Sequence, residues 1–98
     1  MNQSLVLGEK YLYGRGAPQN CNQALKYFRS AADEDNAPAM SHLGAMYASG
    51  NCVTMNRVAA YNWFAKAQNA DPGNRWRERN MNMLWRDMTP KERAAISR

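Results

Sequence analysis

The stretch that decides the fold is Leu43-Gly44-Ala45-Met46-Tyr47-Ala48-Ser49-Gly50. A shift of 36 residues places it on an earlier stretch with the same landmarks, Leu7-Gly8, Tyr11 and Gly14. The match continues with Asn20 on Asn56, Ala24 on Ala60, Phe28 on Phe64 and Ala31 on Ala67. Most of these identities are small, apolar or aromatic residues, which are the ones that a packing layer fixes. The sequence therefore predicts a structural repeat.

Each repeat has the periodicity of two helices joined by a turn. In the first, Gly14, Gly16 and Pro18 separate a helix over residues 3–13 from one over 21–32, for which Asn20 is a favourable N-cap. The same pattern in the second repeat predicts a helix over 38–49 and another helix that follows the N-cap Asn56. Small residues let neighbouring helices approach, and aromatic rings fill the space beside them. The predicted repeat-defining core is Leu7, Gly8, Tyr11, Ala24, Phe28, Leu43, Gly44, Tyr47, Ala60, Trp63 and Phe64.

These two runs resemble a Sel1-like repeat, and the resemblance covers residues 3–70. It implies an all-α, right-handed α/α solenoid related to tetratricopeptide repeats, with one repeat at residues 3–36 and the next at 37–70. It also implies an adaptor or scaffold role in protein–protein contacts. The family is frequent in exported and envelope-associated bacterial proteins and has no shared catalytic centre.

Residues 71–98 are predicted to close the solenoid with capping helices. Asp71 is a candidate N-cap and Pro72 a first-turn residue for a helix that extends to Asp87. The Leu-Gly pair of the repeats is replaced here by Arg79-Asn80, so the segment is interpreted as a degenerate half repeat that covers the last face of the stack.

A short final helix is predicted from Thr89-Pro90-Lys91-Glu92, which has the spacing of a capping box. The apolar residues after it, Ala94, Ala95 and Ile96, are expected to fold back onto the domain.

The two cysteines both replace residues that are usual in the resembled family. Cys21 opens the second helix of repeat 1, and Cys52 lies in the turn of repeat 2. Since the turns of stacked repeats are neighbours, this joint departure suggests a disulfide, with two separate thiols as the alternative. A disulfide would favour a periplasmic or exported protein, and free thiols a cytoplasmic one.

The single histidine, His42, lies one residue before Leu43-Gly44. A metal site would need a second histidine or a carboxylate pair at ligand spacing near it, and the sequence offers neither. No nucleophile elbow is present. We therefore expect no catalytic residue, no metal and no cofactor.

Two tryptophans in the C-terminal segment are predicted to face opposite ways. Trp76 and Trp85 are nine residues apart, which is about 180° on a helix. Trp76 continues the repeat frame and is assigned to the core, so Trp85 is the candidate for contact with the last helix or with a partner.

The charge is basic but spread out, with 13 Lys and Arg against 8 Asp and Glu and a formal net charge of +5. A nucleic-acid-binding protein usually has a sharper basic stripe. A nucleic-acid site is therefore the weaker alternative, and it would use Trp85 with Arg75, Arg77, Arg79, Arg86 and Arg93. No apolar run approaches the roughly 20 residues that span a bilayer.

The predicted function is binding of a peptide or partner protein in a concave groove lined by the first helix of each repeat. The candidate groove residues are Gln3, Val6, Lys10, His42, Ala45 and Met46. Trp85 is a further candidate for partner contact outside this set. An alternative is that the repeats are a terminal structural fragment of a longer solenoid. In the binding interpretation, the domain is expected to be a monomer or to self-associate weakly.

Overall fold

The computed structural model describes residues 2–96, and it confirms the all-α class. Its helices are α1 (Gln3–Tyr13), α2 (Cys21–Asp33), α3 (Ala37–Ser49), α4 (Arg57–Ala70), α5 (Arg75–Asp87) and α6 (Pro90–Ala94). The bounds of α1 are those that the sequence predicts, and α2 and α3 each extend one residue further.

Asparagine begins each of the first five helices. The N-caps Asn2, Asn20, Asn36, Asn56 and Asn74 each accept a hydrogen bond from the backbone N–H three residues later. Such a cap satisfies one of the backbone donors that the first turn leaves unpaired, and it contributes about 1 kcal/mol. The helix starts are therefore specified by local sequence.

The helices pack as two hairpins that stack on each other. Helix α1 packs against α2, α3 against α4, and α2 against α3, while α6 folds back onto α4. The result is elongated, with extents of 42 × 26 × 20 Å. Phe28, Leu43 and Phe64 are fully buried at the centre of the two hairpins.

Not every residue of the predicted core is buried. Tyr11, Tyr47 and Trp63 are half-buried at the edge of the core. Leu7 is also half-buried, whereas Leu12, five residues later on α1, is buried. Leu7 therefore contributes less to the core than the repeat pattern predicts.

The cysteines form a disulfide that joins the two repeats. Cys21 at the start of α2 is bonded to Cys52 in the turn before α4, with their Cα atoms 5.2 Å apart. Cys52 has a φ of 67°, a left-handed conformation that normally favours glycine. The disulfide therefore fixes this turn to the neighbouring repeat.

The start of α5 differs from the prediction. Its N-cap is Asn74, not Asp71, and Pro72 lies in the turn before the helix instead of in its first turn. The turn between α4 and α5 spans 71–74, one residue longer than the 34–36 turn between α2 and α3. Helix α4 is also one residue longer than α2, so two residues are added in total. Two added residues turn a helix face by about 200°, and the predicted frame therefore fails here.

This change of register moves both tryptophans away from their predicted orientations. Trp76, which the repeat frame assigns to the core, is 47% exposed, and its neighbour Arg77 is buried instead. Trp85, expected to point outward, packs beside Tyr61 with ring centroids 5.9 Å apart. The predicted contact of Trp85 with the last helix is present, because its carbonyl accepts a hydrogen bond from Arg93 Nε.

The predicted capping box of α6 is confirmed. The Thr89 hydroxyl accepts from the Glu92 N–H, and the Glu92 carboxylate accepts from the Thr89 N–H. Of the three residues expected to fold back, Ile96 is buried, whereas Ala94 and Ala95 are exposed. The last helix is therefore held by its cap and by one apolar side chain.

Candidate partner-binding groove

An open groove lies between α3 and α5. It contains two hollows of about 360 and 420 Å³ that share Ala45 in their lining. Helix α5 packs on α4, which keeps it at a distance from the side of α3 that carries Ala45. The groove is therefore a consequence of how the capping helix is seated.

The α3 wall consists of small side chains and the ring of His42. Its lining residues recur at helical spacing and are Pro38, Ser41, His42, Ala45, Ala48 and Ser49. Small side chains leave room above the helix backbone, so this wall can accept large side chains from another molecule.

The α5 wall carries the large apolar groups. Trp76 and Met83 are seven residues apart on the same side of α5, and they are 47% and 52% exposed. Tyr13, at the end of α1, is also 52% exposed and lines the same hollow as Trp76. Most large apolar side chains in a domain are more deeply buried, so their concentration along one groove makes this groove the candidate contact surface.

Arg77 sets the position of α5 relative to the rest of the domain. Its side chain is 2% exposed, and its Nε donates to Ser41 Oγ on α3 at 3.0 Å. Its Nη1 donates to Gln68 Oε1 on α4 and to the carbonyl oxygen of Asp71. The Asp71 carboxylate lies 3.6 Å from Nη2 and is itself 60% exposed. The buried guanidinium of Arg77 thus connects α5 to α3, to α4 and to the turn that follows α4.

His42 closes one end of the groove. Its ring stacks on Phe28 with centroids 4.6 Å apart, and its Nε2 lies 3.1 Å from Glu9 Oε2. Tyr13 contacts the ring edge-on. Within residues 2–96, no group of three His, Cys, Asp or Glu side chains is arranged to hold a metal ion. The contacts with Phe28, Glu9 and Tyr13 hold the His42 ring in place at this end of the groove.

The groove contains two of the residues that the sequence selected for it, His42 and Ala45. Met46 was wrongly placed in the groove, because it is 2% exposed and packs in the core. The α1 candidates Gln3, Val6 and Lys10 are absent from the lining of both hollows.

Sequence reasoning missed Tyr13, Trp76 and Met83 as groove residues. The available signal was the spacing of Trp76 and Met83, which places them on one face of α5. The 36-residue frame, extended into α5 without a change of register, assigns Trp76 to the core and so conceals this face.

The basic residues of the tail do not act as one cluster. Arg77 is buried and saturated with internal partners, and Arg93 donates to the carbonyl oxygens of Trp85 and Arg86. The five-arginine nucleic-acid site is therefore wrong in these two members. Among the described residues, no helix is long and apolar enough to cross a membrane.

Comparison with known proteins identifies the repeat. The family model for the Sel1 repeat matches twice in succession, at residues 6–36 and 37–70. Over 68 residues, 69% of this chain, the sequence is 29% identical to the ERAD-associated E3 ubiquitin-protein ligase component HRD3B of Arabidopsis thaliana. The chain spans 11% of the length of that relative. Sel1 repeats are typically protein–protein interaction modules that are not themselves catalytic. The two consecutive matches cover more than half of the chain, which therefore belongs to the Sel1 repeat family.

Proposed function

We propose that this chain is a non-catalytic interaction module that holds a segment of a partner protein in the groove between α3 and α5. The observation that carries the proposal is the pair Trp76 and Met83, half-exposed along one side of a groove whose other side is Ala45 and Ala48. An inserted apolar side chain would contact large groups on one wall and small ones on the other.

A few large apolar side chains are expected to supply most of the binding free energy. Burying apolar surface contributes roughly 25 cal/mol per Å². Tryptophan is enriched among the residues whose truncation costs about 2 kcal/mol or more in protein interfaces. Trp76 also contacts the buried ring of Phe64 edge-on, at 5.8 Å between centroids, which holds it in place before a partner arrives. A pre-positioned anchor loses less conformational entropy on binding.

The known relative supports an interaction role of this kind. The Arabidopsis protein is named as a component of a ubiquitin-protein ligase. This chain covers a small part of that relative, so the comparison supports only a general use of the repeats in protein contacts. We propose an adaptor or scaffold role for this chain on that basis.

The disulfide supports an oxidising compartment for the domain. Disulfides persist in secreted, periplasmic and extracellular proteins and are rare where thiols are kept reduced. We infer that the domain works in an exported or periplasmic setting. Thiol labelling of the protein isolated from its source cells under denaturing, non-reducing conditions tests this, and labelling of both cysteines would contradict it.

Affinity capture with matched variants tests the binding proposal. Met83→Glu places a charge on the exposed wall of the groove, and Val6→Glu places one on an exposed apolar residue of α1 outside it. We expect a partner protein to be recovered from source-cell extract with the wild-type chain and with Val6→Glu, and to be lost with Met83→Glu. Equal recovery with both variants would show that the groove does not carry the interaction.

A further inference from the structure

Three arginines form a row along the outer edge of the groove. On a helical wheel, Arg75, Arg79 and Arg86 of α5 lie within about 40° of one another. The groove residues Trp76 and Met83 occupy the adjacent sector. The row extends over about 16 Å of the helix, so it runs parallel to the apolar wall for most of the length of α5.

These arginines are available to another molecule. All three are exposed. Within residues 2–96, neither Arg75 nor Arg79 forms a salt bridge, and Arg86 pairs only with its neighbour Asp87 while its side chain stays 71% exposed. A pair this exposed contributes little and can be exchanged for another carboxylate.

The rest of the groove does not balance this charge. The α3 wall has no carboxylate among its lining residues. The two carboxylates that do line the groove, Asp71 and Asp87, already have arginine partners in Arg77 and Arg86. The groove therefore combines apolar side chains such as Trp76 and Met83 with polar ones, and the row of exposed arginines lies along one edge.

We propose that the partner segment is an acidic amphipathic helix, whose apolar side enters the groove and whose carboxylates meet the arginine row. The proposal rests on the function proposed above and specifies the chemistry of the partner. Arginine binds carboxylates in a bidentate, directional manner. Charges at the edge of an interface select among partners and accelerate their encounter. A protein segment fits better than a nucleic acid, because Ala45, Ala48 and Met83 can bury apolar side chains, which a phosphate backbone does not have.

Selection of peptides that bind the full chain, from a displayed library of random peptides of about 16 residues, tests the proposal. A helix of this length is roughly 24 Å long. We expect selected peptides to combine apolar residues at helical spacing with Asp or Glu on one edge. Synthetic versions with every Asp and Glu replaced by Asn and Gln should bind at least about tenfold more weakly. Undiminished binding of these neutral peptides would overturn the proposal.

Two charge-reversal variants locate the effect. One carries Arg75→Glu, Arg79→Glu and Arg86→Glu, and the matched control carries Lys26→Glu, Lys66→Glu and Lys91→Glu, which are exposed lysines outside the groove. The net charge falls equally in both. We expect the selected peptides to lose at least about tenfold in affinity with the arginine variant and little with the lysine variant. Equal losses would indicate attraction to the overall charge and would overturn the proposal.

The remaining outcomes separate this inference from the proposed function. Peptides that are lost with Met83→Glu but contain no acidic residues would overturn the acidic partner and leave the groove as a binding site. Peptides indifferent to Met83→Glu would overturn both. A single-stranded oligonucleotide that binds more tightly than the selected peptides, and is lost with the arginine variant, would assign the row to nucleic acid instead.

Discussion

The ring of Phe28 lies directly against Gly8. A Cβ atom added to Gly8 would be 2.7 Å from two ring carbons of Phe28. The second repeat has the same relationship, with a Cβ on Gly44 placed 2.9 Å from the ring of Phe64. Both rings are completely buried, so neither can move aside without displacing its neighbours. The glycine and the aromatic residue therefore form one steric unit that recurs in each repeat.

Gly8→Ala is expected to destabilise the domain. Alanine would gain about 1 kcal/mol of helix propensity over glycine at an unconstrained position. Here the added methyl overlaps a buried ring, and overpacking of this kind costs about 1–3 kcal/mol. We expect a net decrease in the free energy of unfolding, measured by urea denaturation of the oxidised protein.

A double variant distinguishes the steric cause from a general helix effect. Leucine at position 28 is smaller than the ring and leaves space for the methyl group. Gly8→Ala should therefore cost less in a Phe28→Leu background than in the wild type, which gives a favourable coupling in a double-mutant cycle. A stabilising Gly8→Ala, or a coupling near zero, would show that the ring does not require the glycine.

This steric unit explains why the repeats were predictable. A pattern of Leu-Gly, aromatic and alanine positions is constrained by contacts within one hairpin, so a sequence that shows the pattern predicts the hairpin. In the segment after residue 70, α5 is followed by the five-residue α6, which is much shorter than α2 or α4, and Asn80 stands where the 36-residue frame places the glycine. No equivalent constraint fixes the register of α5.

The groove was only partly predictable for the same reason. Its α3 wall belongs to a repeat, and His42 and Ala45 could be selected from the pattern. Its α5 wall depends on the length of the turn before Arg75 and on the hydrogen bonds of Arg77, which join residues up to 36 positions apart. Such long-range polar contacts leave no periodic signal in the sequence.

Arg77→Met is expected to loosen α5. Methionine keeps an unbranched apolar chain but leaves the partner atoms of Ser41 and Gln68 without their donor. The loss of these hydrogen bonds should lower the free energy of unfolding by about 1–3 kcal/mol. The ion pair with Asp71 adds little because that carboxylate is mostly exposed. Hydrogen exchange should show reduced protection in α5 before α1 and α2 are affected.

Arg79→Met is the matched control, since Arg79 is exposed two residues along the same helix. A surface substitution of this type changes stability by about 0.5 kcal/mol or less. If Arg77→Met were as mild as Arg79→Met, the buried guanidinium would not be what positions α5.

Removal of the disulfide is expected to lower stability by about 3–4 kcal/mol in the chain-entropy model, because it closes a loop with a sequence separation of 31. The Cys21→Ser/Cys52→Ser variant measures this by urea denaturation. Serine at position 52 would also keep a side chain in the left-handed conformation. The Cys21→Ser/Cys52→Gly variant should therefore be more stable than the double serine variant by about 1 kcal/mol. Equal stability of the two would mean that the turn adopts another conformation once the disulfide is removed.

The cap of α6 makes part of the stability depend on pH. The pKa of Glu92 is lowered from its ordinary value of 4.5, chiefly by the hydrogen bond from the Thr89 backbone N–H and next by the charge of Arg57. Desolvation opposes this and is outweighed. Because the folded state holds the carboxylate in its charged form, the folded chain binds fewer protons here than the unfolded chain. The contribution is therefore complete above pH 4.5 and is lost as the pH falls through the lowered pKa.

Glu92→Gln should consequently weaken the domain at neutral pH and make its stability less dependent on pH in the acidic range. Urea denaturation at pH values on both sides of 4.5 measures this as a difference between wild type and variant that shrinks as the pH falls. Arg57→Met should preserve most of the pH dependence, since the backbone hydrogen bond is the larger cause. A difference between wild type and Glu92→Gln that stays constant with pH would place the stabilisation in the shape of the side chain instead of its charge. A loss of pH dependence with Arg57→Met would reverse the order of the two causes.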